Sequence, residues 1–369
     1  MSAPALRLLG GQVLRGGALR DGDLSLAAGR IVAEGGRALD LRDCILLPGM
    51  VDAHGDGFER HVAPRRGMVA GPGEGFGPLA VELAASGITT ACLAQFWSWA
   101  GGLRGPDFAQ ALAVALRDWT GPVDLRMQLR VETHMIADFN AIARFVRREG
   151  IAHVVFNDHL PHDLAARGTR PERLTGAALR ARRSPEEHWR ILRALSANGP
   201  EVATALPRLI AELPPVTLGS HDDDAAARAR FAEMGVGIAE FPVERAAASG
   251  DVVLGAPNVV RGGSHGRGIA AAGLIAEGRC TALASDYHYP AMLGAVRRLV
   301  AEGMALAAAW ALVSSAPAGL LRLADRGALE PGMRADVVAL DTRDLTLAAT
   351  FAAGWPIWLR PDIAARMIG

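Results

Sequence analysis

CILLPGMVDAHGDGFERHVAPRRG (residues 44–67) joins an apolar run to a segment dense in ionisable side chains. From Val51 onward it holds His54 and His61, Asp52 and Asp56, Glu59, and Arg60, Arg65 and Arg66. Such side chains are mostly exposed, and burying them without partners is costly, so a strand end that carries them offers them to something. The same design recurs along the chain. Apolar, β-rich runs at residues 88–96, 124–134, 151–159, 215–222, 237–243, 251–257 and 280–286 alternate with Ala-, Leu- and Arg-rich segments of helical period. Several of these segments, such as residues 78–87, 141–150, 225–235 and 272–278, stop at Gly, the usual residue just past a helix end. With the run that ends at His54, about eight β/α units fit the length, which predicts an α/β fold built on a (β/α)8 barrel of the TIM type. A doubly wound open sheet is the second architecture.

Residues 1–50 read as short strands and turns, and residues 332–369 resume that style. They are expected to form a small β-sandwich domain from both termini, with the barrel over residues 51–331 between them. Residues 160–215 carry few strand signals and much Arg, Glu and Pro, which predicts a helical excursion over the barrel mouth, either a lid or a plain surface insertion.

The 369 residues are 50% hydrophobic and 21% charged with 43 glycines, a globular composition. Formal net charge is zero, so no general attraction to nucleic acid or anionic membrane is expected. The first residues lack a long apolar core and no run reaches a membrane span, so a cytoplasmic protein is expected. The count of 39 basic residues is all arginine, which removes lysine Schiff bases and carbamylated-lysine metal bridges. Cys44, Cys92 and Cys280 are widely spaced within apolar runs and read as reduced core residues.

Polar residues gather at the ends of the apolar runs: His54 and Asp56, Glu132, His159, His221 and Asp286. In a barrel those ends converge on one face. In His54-Gly55-Asp56 the two side chains share a strand face and suit Zn, Mn or Fe. Alone, that triplet fits a capping turn as well as a metal. Glu132 is a candidate bridging carboxylate, with a salt bridge to Arg126 or Arg130 as the alternative. His162 lies close enough to His159 to take its place. Beyond His221, the run Asp222 to Asp224 also suits a helix start. Together, these residues indicate a divalent metal centre.

Over nearly the whole chain, LLPGMVDAHGD, RVETH, NDHLP, GSHDDD, AEFPV, GAPNVVRGGSHGRG, ASDYHYPAML and LEPGMRADVVALD resemble the amidohydrolase superfamily of metal-dependent hydrolases. Within it, the similarity is to phosphonate-pathway hydrolases that cleave a phosphoanhydride of a ribosyl triphosphate and release diphosphate. The resemblance implies two metal ions held by His54, Asp56, Glu132, His159, His221 and Asp286. It gives Glu132 the place of a carboxylated lysine and Asp286 the handling of the water's proton. It departs after His159, where the chain reads Leu160-Pro161-His162-Asp163 in place of a Thr-Pro-Gly-Gln-like run.

Around such a centre, Arg60, Arg65 and Arg66, with Arg261, Ser264, His265 and Arg267 in a glycine-rich loop, suit the oxygens of a phosphorylated small-molecule substrate. Surface arginines beside a flexible loop are the bland alternative. A cyclic amidohydrolase or deaminase acting on a C–N bond is the second functional reading, and a non-catalytic scaffold the third. The chain is compatible with a homo-oligomer. Trp97 and Trp99 either line the pocket or pack, and the core is the expectation for both.

Overall fold

In a computed structural model, which describes residues 2–64, 71–264 and 268–368, eight strands lie side by side in chain order, each parallel to the next. They are Met50–Gly55, Ile88–Trp97, Asp124–Glu132, His153–Asn157, Thr217–His221, Ile238–Glu240, Asp251–Gly255 and Ala282–Ala284. The ring closes between the last and the first. The Asp286 N–H donates to the His54 carbonyl at 3.0 Å, and the Asp56 N–H donates to the Asp286 carbonyl at 2.9 Å. The expected barrel is present, and its closing bonds are made by three residues of the predicted site.

Barrel strands are covered on both faces, so their sequences run apolar without a break: every residue of Ile88–Trp97 is buried. The third strand is the instructive exception. Leu125, Met127, Leu129 and Val131 join the core between sheet and helices, which leaves Gln128, Arg130 and Glu132 on the face toward the barrel axis. The helix Phe139–Glu149 then lays Ile142, Ala143, Phe145 and Val146 into the same core. It ends at Gly150, whose φ of 62° is the left-handed conformation that glycine adopts without steric cost.

The termini build a second sheet of eight strands, in the spatial order Trp355–Leu359, Leu347–Ala352, Val337–Asp341, Arg37–Pro48, Leu6–Arg15, Leu24–Ala27 and Arg30–Val32, with Ala18–Arg20 paired to Leu6–Arg15. It has its own apolar cluster, including Leu8, Leu24, Leu26, Leu39, Val337 and Phe351. Arg37–Pro48 leads through Gly49 into the first barrel strand. A Cβ on Gly49 would stand 2.2 Å from the Thr89 hydroxyl, so the chain can pass between sheet and barrel there only as glycine.

Between the fourth and fifth barrel strands lie the helices His162–Ala166, Leu174–Arg180, Pro185–Ala197 and Gly199–Glu212, which make up the expected helical excursion. Cys44 and Cys92 are buried and Cys280 partly so, all three as free thiols; burial pushes those of Cys44 and Cys280 up to about 12. Among the described residues, no helix is long and apolar enough to cross a membrane.

Candidate metal centre

The centre is built from the floor of the barrel mouth upward. Asp52, fully buried in the first strand, accepts from the Ser285 N–H at 2.9 Å, from the Ser285 hydroxyl at 2.6 Å and from the His54 N–H at 3.3 Å. Burial pushes its carboxyl above the ordinary range, against the pull of those donors. The two bonds from Ser285 bind the end of the first strand to the residue before Asp286, and the third stays within the strand. Asp286 itself has φ 56°, a strained conformation for a non-glycine residue. Gly55 leaves room for this clamp: a Cβ there would lie 2.7 Å from Asp52 Oδ2 and 2.9 Å from Ser285 Oγ.

Above this clamp, His54 Nδ1 lies 2.8 Å from Glu240 Oε2, and the His54 ring stacks on His221 with centroids 5.1 Å apart and planes 4° apart. The Gln128 amide donates to Glu240 Oε1 at 2.7 Å and to the Ala53 carbonyl at 3.1 Å. Burial disfavours the Glu240 anion, yet the imidazoles of His54, His221 and His153 around it hold its carboxyl well below the usual range. Burial, with the Arg130 cation nearby, brings His221 down to about 4, so its ring is neutral and has a lone pair for a metal.

On the other side of His221, His159 Nδ1 lies 2.6 Å from Glu132 Oε1, and the His159 N–H donates to Glu132 Oε2 at 3.1 Å. Asp222 Oδ2 stands 3.5 Å from His221 Nε2 and 3.7 Å from His159 Nε2. Burial works against the His159 cation, but its bonds to Asp222 and Glu132 prevail and raise it to about 9. The acidic run does start the helix Ala225–Glu233, which Asp224 caps by accepting from the Ala227 N–H at 2.7 Å, whereas Asp222 turns to the two imidazoles.

Asp56, Glu132, His159, His221 and Asp286 line one cleft of about 590 Å³ together with Phe96, Trp99 and Phe241. His54 lies beneath it, sealed against Phe241. The structure thus brings the six predicted ligand residues to one mouth. It also adds members that the sequence did not disclose. Two triads there have ligand atoms within 4.8 Å of one another, His54 with His221 and Glu240, and His159 with His221 and Asp222. The donor set is nitrogen and carboxylate oxygen throughout, and the buried His54 Nε2 has no hydrogen-bond partner among the described residues. Such a set fits a divalent ion of the zinc, manganese or iron class. His162 stands apart from the cleft that His159 lines, with Nε2 bonded to Asp158. Glu132 pairs with His159 rather than with Arg126, whose guanidinium bonds Asp124 at 3.0 Å.

The arginines fall differently from expectation. Arg60 does not line the cleft: its guanidinium bonds Glu82 and, at 3.0 Å, the Tyr287 carbonyl, because the short helix Glu59–Val62 aims it at the helix Pro72–Ala85. Arg65, Arg66, His265 and Arg267 lie outside the described residues, while Arg261 and Ser264 are in the cleft wall. Two unforeseen arginines join them. Arg130 lies 4.0 Å and Arg104 4.7 Å from the centroid of the Phe96 ring. Asn157 Oδ1 orients Arg130 at 3.1 Å, and Glu59 grips Arg104 at 2.9 and 3.1 Å. Trp99, expected in the core, is a wall of the cleft, whereas Trp97 packs inside and donates to Asp138 at 2.9 Å.

No family model matches the chain. It is 29% identical to the alpha-D-ribose 1-methylphosphonate 5-triphosphate diphosphatase of Escherichia coli (strain K12), an alignment covering 83% of this chain and 86% of that one. Its fold is similar to that of a zinc-bound adenosine deaminase from Xanthomonas campestris, with 16% identity, 98% and 96% of the two chains covered and a TM-score of 0.56. It is also similar to molinate hydrolase, at 12% identity, 100% and 97% coverage and a TM-score of 0.62. An amidohydrolase from an environmental sample of the Sargasso Sea matches at 14% identity, 96% and 93% coverage and a TM-score of 0.61. The resemblance read from the sequence therefore holds for the fold, which is shared with solved amidohydrolases, and the sequence is similar to that of the Escherichia coli diphosphatase.

Proposed function

We propose that the chain is a metal-dependent hydrolase that cleaves a phosphoanhydride of a ribosyl triphosphate, of the α-D-ribose 1-methylphosphonate 5-triphosphate type, and releases diphosphate. The observation that carries this reading is the meeting, in one cleft, of a carboxylate–imidazole donor cluster with the guanidinium groups of Arg104, Arg130 and Arg261. Arginine forks match phosphate oxygens. A neutral cyclic amide offers them a carbonyl oxygen at most, without the charge and paired oxygens that the forks match. The likeness to the Escherichia coli diphosphatase supports the same substrate class.

In this reading His54, Asp56, Glu132, His159, His221 and Asp286 hold two divalent ions, with Glu240 and Asp222 close enough to share in the binding. The ions would supply a water of lowered pKa close to the phosphorus. Asp286, set at the mouth by the Asp52–Ser285 clamp, accepts the water's proton and returns it to the departing diphosphate. Arg104, Arg130 and Arg261 bind the oxygens of the triphosphate. Phe96 and Trp99 keep bulk water from one side of the cleft, which strengthens each charged contact.

The test is a panel on the metal-loaded chain: ribosyl and nucleoside triphosphates against hydantoins, dipeptides and aminopurines, scored for diphosphate, carboxylate and ammonia. Diphosphate from the triphosphates alone supports the proposal. Turnover of the amides or aminopurines alone would establish the C–N hydrolase reading, and no turnover of anything by fully loaded protein the scaffold reading.

A further inference from the structure

Beside the cleft, three ligating side chains meet that the proposed reaction does not use. His134 follows the third barrel strand, Asp158 follows the fourth, and His162 opens the helix His162–Ala166, the first of the excursion. One ligand atom from each lies within 4.8 Å of the other two. His134 is buried, its ring centroid is 4.9 Å from that of His162, and its Nδ1 is 3.6 Å from Asp158 Oδ1. His162 Nε2 is 2.9 Å from both Asp158 oxygens, while its Nδ1 is 2.9 Å from the Ser196 hydroxyl on the helix Pro185–Ala197.

A hydrogen bond between His162 and Asp158 would account for two of these groups. It gives no reason for a second, buried imidazole, whose Nδ1 is 3.3 Å from the Thr133 hydroxyl, to stand 3.6 Å from the same carboxylate. The Ser196 contact is the arrangement found around metal-bound histidine, in which a partner on one ring nitrogen fixes the ring so that the other faces the ion. Nitrogen and oxygen donors at about 2.0–2.2 Å from zinc stand roughly 3.3–3.6 Å apart, so small side-chain rotations would close this triad on an ion.

We propose that His134, Asp158 and His162 form an accessory zinc-class site that ties the excursion to the ends of the third and fourth barrel strands. It shares no ligand with the centre in the cleft and does not depend on the diphosphatase reading. Its consequence for the cleft is direct. Leu160, Leu174, Trp189 and Leu192 of the tethered segment pack in one cluster with Trp99, which lines the cleft, so an ion here would set the position of that wall.

The test uses the full chain, stripped with chelator, dialysed against zinc and counted by inductively coupled plasma mass spectrometry. Asp158→Asn and His162→Ala are each expected to bind one zinc equivalent fewer than the parent, and His162→Cys, which restores a ligand atom, to retain it. Zinc should slow tryptic cleavage at excursion arginines such as Arg167 and Arg173 in the parent and in His162→Cys, but not in His162→Ala. Equal zinc in the parent and His162→Ala overturns the proposal. So does loss of more than one equivalent, which would place His162 in the barrel centre, and so does a Cys variant that loses the ion as the Ala variant does.

Discussion

The barrel mouth and the terminal sheet handle charge in opposite ways. The sheet buries Leu8, Leu24, Leu26, Leu39, Val337 and Phe351, and its carboxylates pair singly with arginines, in the open as in Arg42 with Asp40 and Arg366 with Asp43, or with the acid buried as in Asp341 with Arg343 and Arg360. The barrel buries Asp52, His54, Gln128, Arg130, Glu132, His153, His221 and Glu240 along its axis. Burying ions rarely adds stability over packed apolar residues of the same volume, because each loses its hydration. A sheet that only holds the chain together has no use for such an interior. In the barrel Arg130, Glu132 and His221 reach the cleft, while His54, Gln128 and Glu240 bond to one another beneath it, and that difference separates scaffold from site within one chain.

The sharpest way to break the comparison is Asp286→Asn. Asn keeps the shape but cannot take a proton at neutral pH, so turnover should fall by about a hundred- to ten-thousandfold while most of the metal stays bound. Near-parental kcat with full metal content would remove Asp286 from proton transfer. Next is Glu240→Ala. It strips the shared partner from His54 and Gln128, and the loss should be about 3–5 kcal/mol in denaturant unfolding, the scale for breaking a buried charged network. A loss below about 1 kcal/mol would mean that the axis is not held by this carboxylate.

How far the sequence discloses this site follows from where each residue sits. His54, Asp56, Glu132, His159, His221 and Asp286 stand where an apolar run ends, and a chain that stops being apolar at the same point in successive β/α units advertises a mouth. Glu240 ends a strand of three residues, Ile238–Glu240, and the apolar pattern continues through Phe241 to Val243, so nothing marks it as an end. Gln128, Arg130 and His153 lie within strands. Period-2 alternation shows that Gln128 and Arg130 share a face, but barrel closure alone decides that this face points to the axis. Arg60 was misplaced for the complementary reason: its direction is fixed by Glu82, 22 residues along the chain, on a helix whose approach no local pattern records.

A smaller effect belongs to the cleft arginines. Arg130→Ala or Arg104→Ala should remove charge-assisted hydrogen bonds of roughly 1.5–3 kcal/mol each, a loss of about ten- to a hundredfold in kcat/KM for a triphosphate, with little change for a neutral amide. Lysine at either position should restore part of it, as charge returns without the planar fork. Equal losses on both substrate types would make these arginines structural. The smallest effect is expected in the terminal sheet. The Arg366 guanidinium bonds Asp43 at 2.8 Å and holds its carboxyl at about 2, below the ordinary 3.8. A depressed carboxylate pKa contributes stability above about pH 4 that is lost as pH falls toward 2. Because both side chains are partly exposed, Arg366→Ala should cost below about 1 kcal/mol at neutral pH, and the difference from the parent should vanish near pH 2. Unfolding curves at the two pH values check it.

The most direct measurement on the central claim is phosphorus-31 and proton NMR of one tube in which the metal-loaded chain meets a ribosyl 5-triphosphate together with an aminopurine and a hydantoin. The account predicts resonances of free diphosphate and a ribosyl monophosphate, with both nitrogen compounds intact. An unchanged triphosphate spectrum beside released ammonia or an opened hydantoin ring would contradict it.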